Sequence, residues 1–218
     1  MNQNTRIRKY FIWLFWIAVW QAANMLIHNN IIFVGPVDMV KALLELVRDS
    51  SFWASVFNSF AKISIGFLGA FILSILLGCM AYAVPLVKDL LEPMMMLIKS
   101  VPVASFVILA LIWIGSHNLA VFTSFLVVVP MIYVSTLSGL EHTDRKLLEM
   151  ALVFRMSLWK QVRYIYIPAV LPYLISGCRT ALGMSWKSGV AAEVIGIPEG
   201  SIGEQLYYSK LYLDTAGL

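Results

Sequence analysis

Between residues 60 and 83 the chain carries one charged residue, Lys62, in a run long enough to cross a bilayer, whose roughly 30 Å hydrocarbon core needs about 20 apolar residues. Such a run restricts the fold severely. In hydrocarbon every backbone amide and carbonyl must be satisfied within the protein, and a helix does this inside one segment. Similar runs lie at 10–28, 93–115, 119–138 and 168–192. Five membrane-spanning helices are therefore expected, in one membrane domain over 1–218 whose class is all-α and polytopic. Composition agrees: 60% of residues are apolar and the mean hydropathy is +0.81, against about 45–50% apolar in soluble domains.

Breaks and small residues give this outline its detail. Trp13, Trp16 and Trp20 decorate the first span, and Asn29, Asn30 and Pro36 end it. Val37 to Val47 places Val40, Leu43, Leu44 and Val47 opposite Asp38, Lys41 and Glu45, as in a helix lying along the outer surface. Gly66 and Ala70, four apart, let a neighbour approach the second span closely. Pro85 ends that span, and Lys88, Asp89 and Glu92 mark a short turn. Pro102 must kink or interrupt the third span, and Pro130 kinks the fourth. Pro168 and Pro172 start the fifth, where the first turn needs no internal acceptor. Gly177, Ala181, Ser185, Gly189 and Glu193 then repeat every four residues, a stripe that suits close helix packing or a pore-lining face. Residues 194–218 read as external.

Charge placement orients the chain. The N-terminus and the segment after the fourth span carry Arg6, Arg8, Lys9, Arg145, Lys146, Arg155, Lys160 and Arg163, whereas the outer segments carry Lys41, Arg48 and Lys210. Basic residues favour the cytoplasmic side, so the N-terminus is expected inside. The same bias accounts for the net charge of +4 and pI near 9.1 without nucleic acid, since no single basic patch exists. The basic start resembles a signal peptide, but no clean cleavage site follows, which favours an uncleaved first helix. Cys79 and Cys178 each lie in an apolar run and read as buried thiols, with no disulfide or metal spacing. His28, His117 and His142 are scattered, and no Gly-x-x-x-x-Gly-Lys-Ser/Thr motif is present. No metal, no cofactor and no ATP hydrolysis by this chain are expected.

The charged island at 139–167 is the most informative stretch. Asp144 suits an N-cap, after which Leu147, Leu148, Ala151, Leu152 and Phe154 form an apolar stripe beside Arg145 and Glu149. Ser157 suits a second cap. Two short amphipathic helices with this many cations must lie against water, headgroups or protein.

At these residues the chain resembles the permease subunits of bacterial ABC importers, whose loop reads Glu-Ala-Ala, three residues, Gly, nine residues, Ile, one residue, Leu-Pro. Glu149, Ala151, Ile165 and Pro168 match, Met150 and Ile167 are mild replacements, and Arg155 stands where the family has glycine. That glycine suits a left-handed turn, in which another residue costs about 1 kcal/mol or more. Phe33-Val34-Gly35-Pro36 followed by Val40, Lys99-Ser100-Val101-Pro102, Gly177-Cys178-Arg179 and Ala192-Glu193 look like further family segments. They resemble most the branch of nitrate, sulfonate and taurine permeases, which also holds importers of vitamin precursors. The resemblance implies a multi-pass protein of the bacterial plasma (inner) membrane, surrounded by lipid. It also implies a second permease copy in a homodimer, cytoplasmic ATPase subunits, an extracytoplasmic substrate-binding protein and a sixth span beyond the five counted here. It makes 144–168 the coupling segment, with Leu148, Leu152 and Phe154 as docking surface around Ala151, and Glu149 and Arg155 as polar rim. The substrate expected is a small anion such as a sulfonate or nitrate, or a vitamin precursor.

Lys62, Lys99, Arg179, Lys187 and Glu193 lie in or near spans, where a central charge costs about 2.5–3.5 kcal/mol on insertion scales. Lys62 and Lys99 are near enough to helix ends to snorkel. Arg179 and Lys187 line a path for an anion or pair structurally with Glu193 and neighbouring helices; Lys99, Arg179, Lys187 and Glu193 are the candidates for the path. A proton-coupled secondary transporter is the rival reading, and an intramembrane enzyme a weaker one that lacks paired carboxylates or a nucleophile.

Overall fold

The computed structural model describes residues 3–27 and 33–217, and among these every regular element is a helix. They are α1 (Gln3–Ile27), α2 (Pro36–Leu46), α3 (Ser50–Ala83), α4 (Pro85–Ser100), α5 (Val103–Ile114), α6 (Leu119–Glu141), α7 (Arg145–Val153), α8 (Leu158–Gln161), α9 (Ile167–Gly196) and α10 (Ile202–Leu211). A π turn over Val162–Tyr166 joins α8 to α9 without a break. Three helical stretches are long and apolar enough to cross a membrane: Ser50–Ala83, Leu119–Glu141 and Leu158–Gly196; α4 and α5 reach that length and hydropathy only as a bent pair, a broken span or a re-entrant loop. The apolar part of α1, Phe11–Ile27, is shorter. The expected end of the first span at His28 and the break at Asn29 and Asn30 lie outside the described residues.

The core is a three-helix layer in which α6 runs between α3 and α9. Small side chains set its spacing. A Cβ on Gly66 would meet the carbonyl oxygen of Val121, so only glycine lets α3 come this close to α6. Ala70, one turn on, is fully buried. The stripe on α9 is a packing face: Gly177 lies against Ser135, Gly189 against Ile63 and Ser124, and Ala181 and Ser185 are buried. Hydroxyls then cross between helices. Ser74 Oγ donates to the Ala70 and Val129 carbonyls at 2.6 and 3.0 Å, geometrically a shared donor, and Ser124 Oγ to the Ser185 carbonyl at 3.2 Å. Within lipid such contacts and close van der Waals packing replace the hydrophobic drive that assembles soluble bundles.

Several boundaries differ from those read in the sequence, each for a local reason. Asp49 accepts from the Ser51 hydroxyl and amide at 2.6 and 3.0 Å, which starts α3 ten residues earlier than residue 60 and holds the Asp49 carboxyl below its ordinary range. Pro85 does end α3, but it also occupies the first turn of α4. Lys88, Asp89 and Glu92 therefore sit on a helix and not in a turn. Pro102 interrupts the third apolar run outright: Val101 is extended, as a residue before proline prefers, and α4 and α5 meet at 101°. Pro130 stays within a continuous α6. The expected second loop helix is the first turn of α9, since α8 continues through the π turn. The wider turn immediately precedes Pro168, which has no amide to give to the helix.

The periphery is apolar and exposed, as hydrocarbon contact requires. Trp13 and Trp16 are 71% and 61% exposed on α1, which packs on α2 and donates from Trp20 Nε1 to the Val34 carbonyl at 3.0 Å. Cys79, expected to be buried, lies on the exposed side of α3, and Cys178 is half-buried. An apolar run in a membrane helix contains both core-facing and lipid-facing positions, so hydropathy alone does not separate them.

Candidate functional site

Asp144 Oδ1 accepts from the Lys146 amide at 2.9 Å and starts α7. The helix turns Ala151 fully inward and Leu148 partly so, leaving Glu149 and the basic residues in solvent. At its end Arg155 adopts φ 48°, the left-handed conformation that suits glycine. The Arg155 amide donates to the Leu152 carbonyl at 3.0 Å and the Met156 amide to the Ala151 carbonyl at 2.9 Å. This is a Schellman closure, which satisfies the last carbonyls of α7 and reverses the chain. Gln161 Nε2 then donates back to the Met156 carbonyl at 2.9 Å, fixing the entry to α8. Ser157 stands at the start of α8 but makes no side-chain cap bond.

The turn produces an apolar crest. Leu152, Val153, Phe154, Leu158 and Trp159 are each more than 70% exposed. Around them stand Arg145, Lys146, Glu149, Arg155, Lys160 and Arg163, which exclude hydrocarbon as their medium. A contiguous apolar surface held in a charged rim has the character of a protein contact. Leu152 and Phe154 were expected on this surface; Val153, Leu158 and Trp159 were not. The signal was present in Leu158-Trp159, directly after Ser157 at the start of α8. Leu148 and Ala151 support the crest from beneath.

Beside the loop, Lys88 Nζ donates to Glu141 Oε1 at 2.6 Å and ties α4 to α6. Above it, the α4–α5 break opens a cleft of about 680 Å³ bounded by α5, α6 and α9. Of the four residues expected on the path, only Lys99 borders this cleft. Arg179 and Lys187 are exposed on α9 outside it, and Glu193 is fully buried elsewhere. Glu193 Oε2 accepts from Ser59 Oγ at 2.7 Å and from the Gly203 amide at 3.3 Å, while Ser59 Oγ accepts from the Ile202 amide at 2.9 Å. A Cβ on Gly203 would collide with Glu193. This network fastens the start of α10 to α3 and α9. Lys62, expected to snorkel, is buried close by and lies 3.5 Å from His117 Nδ1. Among the described residues no group of His, Cys, Asp and Glu has the arrangement of a metal site.

A family model described as "Binding-protein-dependent transport system inner membrane component" matches residues 70–218, which takes in the end of α3, α6, α9, the crest and α10. A permease described as serving aliphatic sulfonates transport in Bacillus subtilis (strain 168) is 26% identical over 201 residues, 91% of this chain and 72% of its own length. The taurine transport system permease protein TauC of Escherichia coli (strain K12) is 23% identical over 187 residues, 83% of this chain and 68% of its own. The nitrate import permease protein NrtB of a Synechocystis strain is 25% identical over 148 residues, 67% of this chain and 54% of its own. All three are described as transport permeases, which sets the intramembrane enzyme reading behind transport. With its apolar helices and a match over most of its length, this multi-pass membrane protein belongs to the family of binding-protein-dependent, ABC-type transport permeases.

Proposed function

We propose that the chain is the permease subunit of an ATP-driven importer and that the crest at Leu152, Val153, Phe154, Leu158 and Trp159 docks on a cytoplasmic ATPase. The observation that carries this reading is the exposure of those five side chains on a charged turn. Leaving them in water costs roughly 1.5–3 kcal/mol per large side chain relative to burial. A partner surface recovers that free energy. Glu149 and Arg155 at the rim orient the partner, and Ala151 sets the height of α7 above the bundle. The continuous helix from Leu158 to Gly196 makes Leu158 and Trp159 of the crest one lever with α9, so displacement of that side of the crest moves the core layer.

A second copy completes the pathway in this reading, an extracytoplasmic binding protein delivers substrate, and the N-terminus lies in the cytoplasm. The relatives are described as serving aliphatic sulfonates, taurine and nitrate, and a small anion is the substrate class assigned here. Copurification tests the docking step. The wild-type permease brings down an ABC ATPase, and Leu152→Asp combined with Phe154→Asp lowers the yield of ATPase by about tenfold or more, with membrane insertion unchanged. Two buried anchors of this size correspond to at least that factor. Equal recovery of ATPase with the double variant contradicts the reading.

A further inference from the structure

A groove of about 470 Å³ lies between α3, α6 and α9, at the end of the bundle that carries the charged turn. Its wall is apolar: Ile75 and Cys79 of α3, Leu140 of α6, and Val170, Leu171 and Leu174 of α9. Beside it α3 and α6 are in close contact, since a Cβ on Gly78 would meet Thr136 at 2.8 Å. Thr136 also lines the groove, but its Oγ1 donates to the Ile132 carbonyl at 2.8 Å, so the middle of the wall suits hydrocarbon. Polar groups gather at one mouth. Tyr82 and Tyr166 border the groove where α3 ends, their rings edge to face with centroids 6.0 Å apart. Amphipathic rings of this kind favour the level of the headgroups. The π turn supplies Val162 and Tyr166 to the groove and carries Arg163, one turn before Ile167 and two before Leu171, which both line it. Lys160 stands two residues before Val162. Arg163 and Lys160 are exposed, and neither makes an ion pair among the described residues. Carboxylates are kept away from them. None occurs in the sequence from Ser50 to Ala83 or from Leu158 to Ala192, Glu141 of α6 is held by Lys88, and Asp89, Glu92 and Glu149 do not border the groove.

We infer that this groove is a binding site for an anionic phospholipid, with an acyl chain along Cys79, Val170 and Leu174 and the phosphate at Arg163 and Lys160. Charge complementarity selects this occupant: a zwitterionic lipid fills the apolar wall but brings a cation of its own to a mouth that already holds two, and a soluble anion leaves the wall unfilled. Basic residues beside a crevice between membrane helices are suited to acidic headgroups. The site lies on the helix that joins Leu158 and Trp159 to α9, so a bound lipid braces the π turn of that helix. The inference needs no ATPase and stands apart from the docking reading.

The test places the full chain, with whatever partners copurify, in phosphatidylcholine nanodiscs. These carry a trace of phosphatidylglycerol or of phosphatidylcholine, each with a photoactivatable diazirine on one acyl chain, and the cross-linked residues are mapped by mass spectrometry. The phosphatidylglycerol probe is expected to label residues 75–82 and 166–174 about fivefold or more over the phosphatidylcholine probe, the factor that one cation at a membrane surface supplies. Lys160→Gln with Arg163→Gln should bring that ratio within about twofold, whereas Lys160→Arg with Arg163→Lys should keep it. Cys79→Trp fills the groove and should lower labelling of 166–174 by both probes, with labelling of the exposed Phe11 to Trp16 on α1 unchanged as the measure of intact insertion. Equal labelling by the two probes, a ratio that survives the double glutamine variant, or labelling of 166–174 unaffected by Cys79→Trp overturns the inference. No labelling of 166–174 while α1 is labelled overturns it also, and identifies a protein segment as the cover of this face.

Discussion

At the scale of single residues, two positions set the geometry of the site. Arg155 holds a left-handed conformation at φ 48° so that α7 can close on itself. Arg155→Gly removes the steric penalty of about 1 kcal/mol, and a small rise in the midpoint of thermal unfolding in detergent is the expected result. A lowered midpoint would mean that the Arg155 side chain contributes more than the backbone loses. Glu193 is the other position. Glu193→Ala leaves the Ser59 hydroxyl and the Gly203 amide without an acceptor, at about 1–3 kcal/mol, whereas Glu193→Gln retains an oxygen and should cost less. Limited proteolysis between residues 197 and 212 distinguishes them: cleavage should accelerate in the alanine variant more than in the glutamine variant. The two positions also differ in how far the sequence revealed them. Arg155 was legible because it occupies a fixed register within a twenty-residue motif. The partner of Glu193 was not, because Ser59 lies 134 residues away and nothing local to either residue points to the other.

At the scale of elements, close packing is specified by spacing and so was readable, whereas helix ends were not. Gly66 and Ala70 predicted an intimate neighbour, and α6 is that neighbour. Gly66→Ala drives a methyl group into the Val121 carbonyl and should destabilise by about 1–3 kcal/mol, as overpacking does. Gly69→Ala is the control, since its Cβ would lie 3.7 Å from Phe125, an ordinary contact. The midpoint of thermal unfolding for the two variants should differ in that order, and equal midpoints would show that α3 and α6 have room to separate. Prolines were the ambiguous signal. Pro85 serves the first turn of a helix, Pro102 separates two, Pro130 lies within one, and Pro168 lies within the continuous helix from Leu158, just after its π turn, although the sequence suggested that it starts a span. The ring fixes φ and removes a donor in all four cases. Whether the helix starts, breaks or continues there depends on whether the preceding residue is extended, and on neighbours such as the π turn ahead of Pro168. The crest was half legible for a similar reason. Leu152 and Phe154 belong to a periodic stripe, but Val153, Leu158 and Trp159 join them only once the chain has reversed at Arg155.

At the scale of the whole molecule, composition and basic-residue placement conveyed the membrane class, and the motif conveyed the family; the cleft depended on a 101° break that no periodicity encodes. The orientation drawn from the basic residues places the crest in the cytoplasm. Ser157→Cys on a background without Cys79 and Cys178 should react with a membrane-impermeant maleimide only from the cytoplasmic side of intact cells opened selectively. The central claim is that the crest receives force from a nucleotide-hydrolysing partner. Its most direct test is uptake of a labelled alkanesulfonate by vesicles holding the permease, its ATPase and its binding protein, with and without ATP, for the wild type and for Leu152→Asp with Phe154→Asp. Accumulation that needs ATP and is lost in the double variant is the predicted result; accumulation without nucleotide, or equal accumulation by the double variant, contradicts the account.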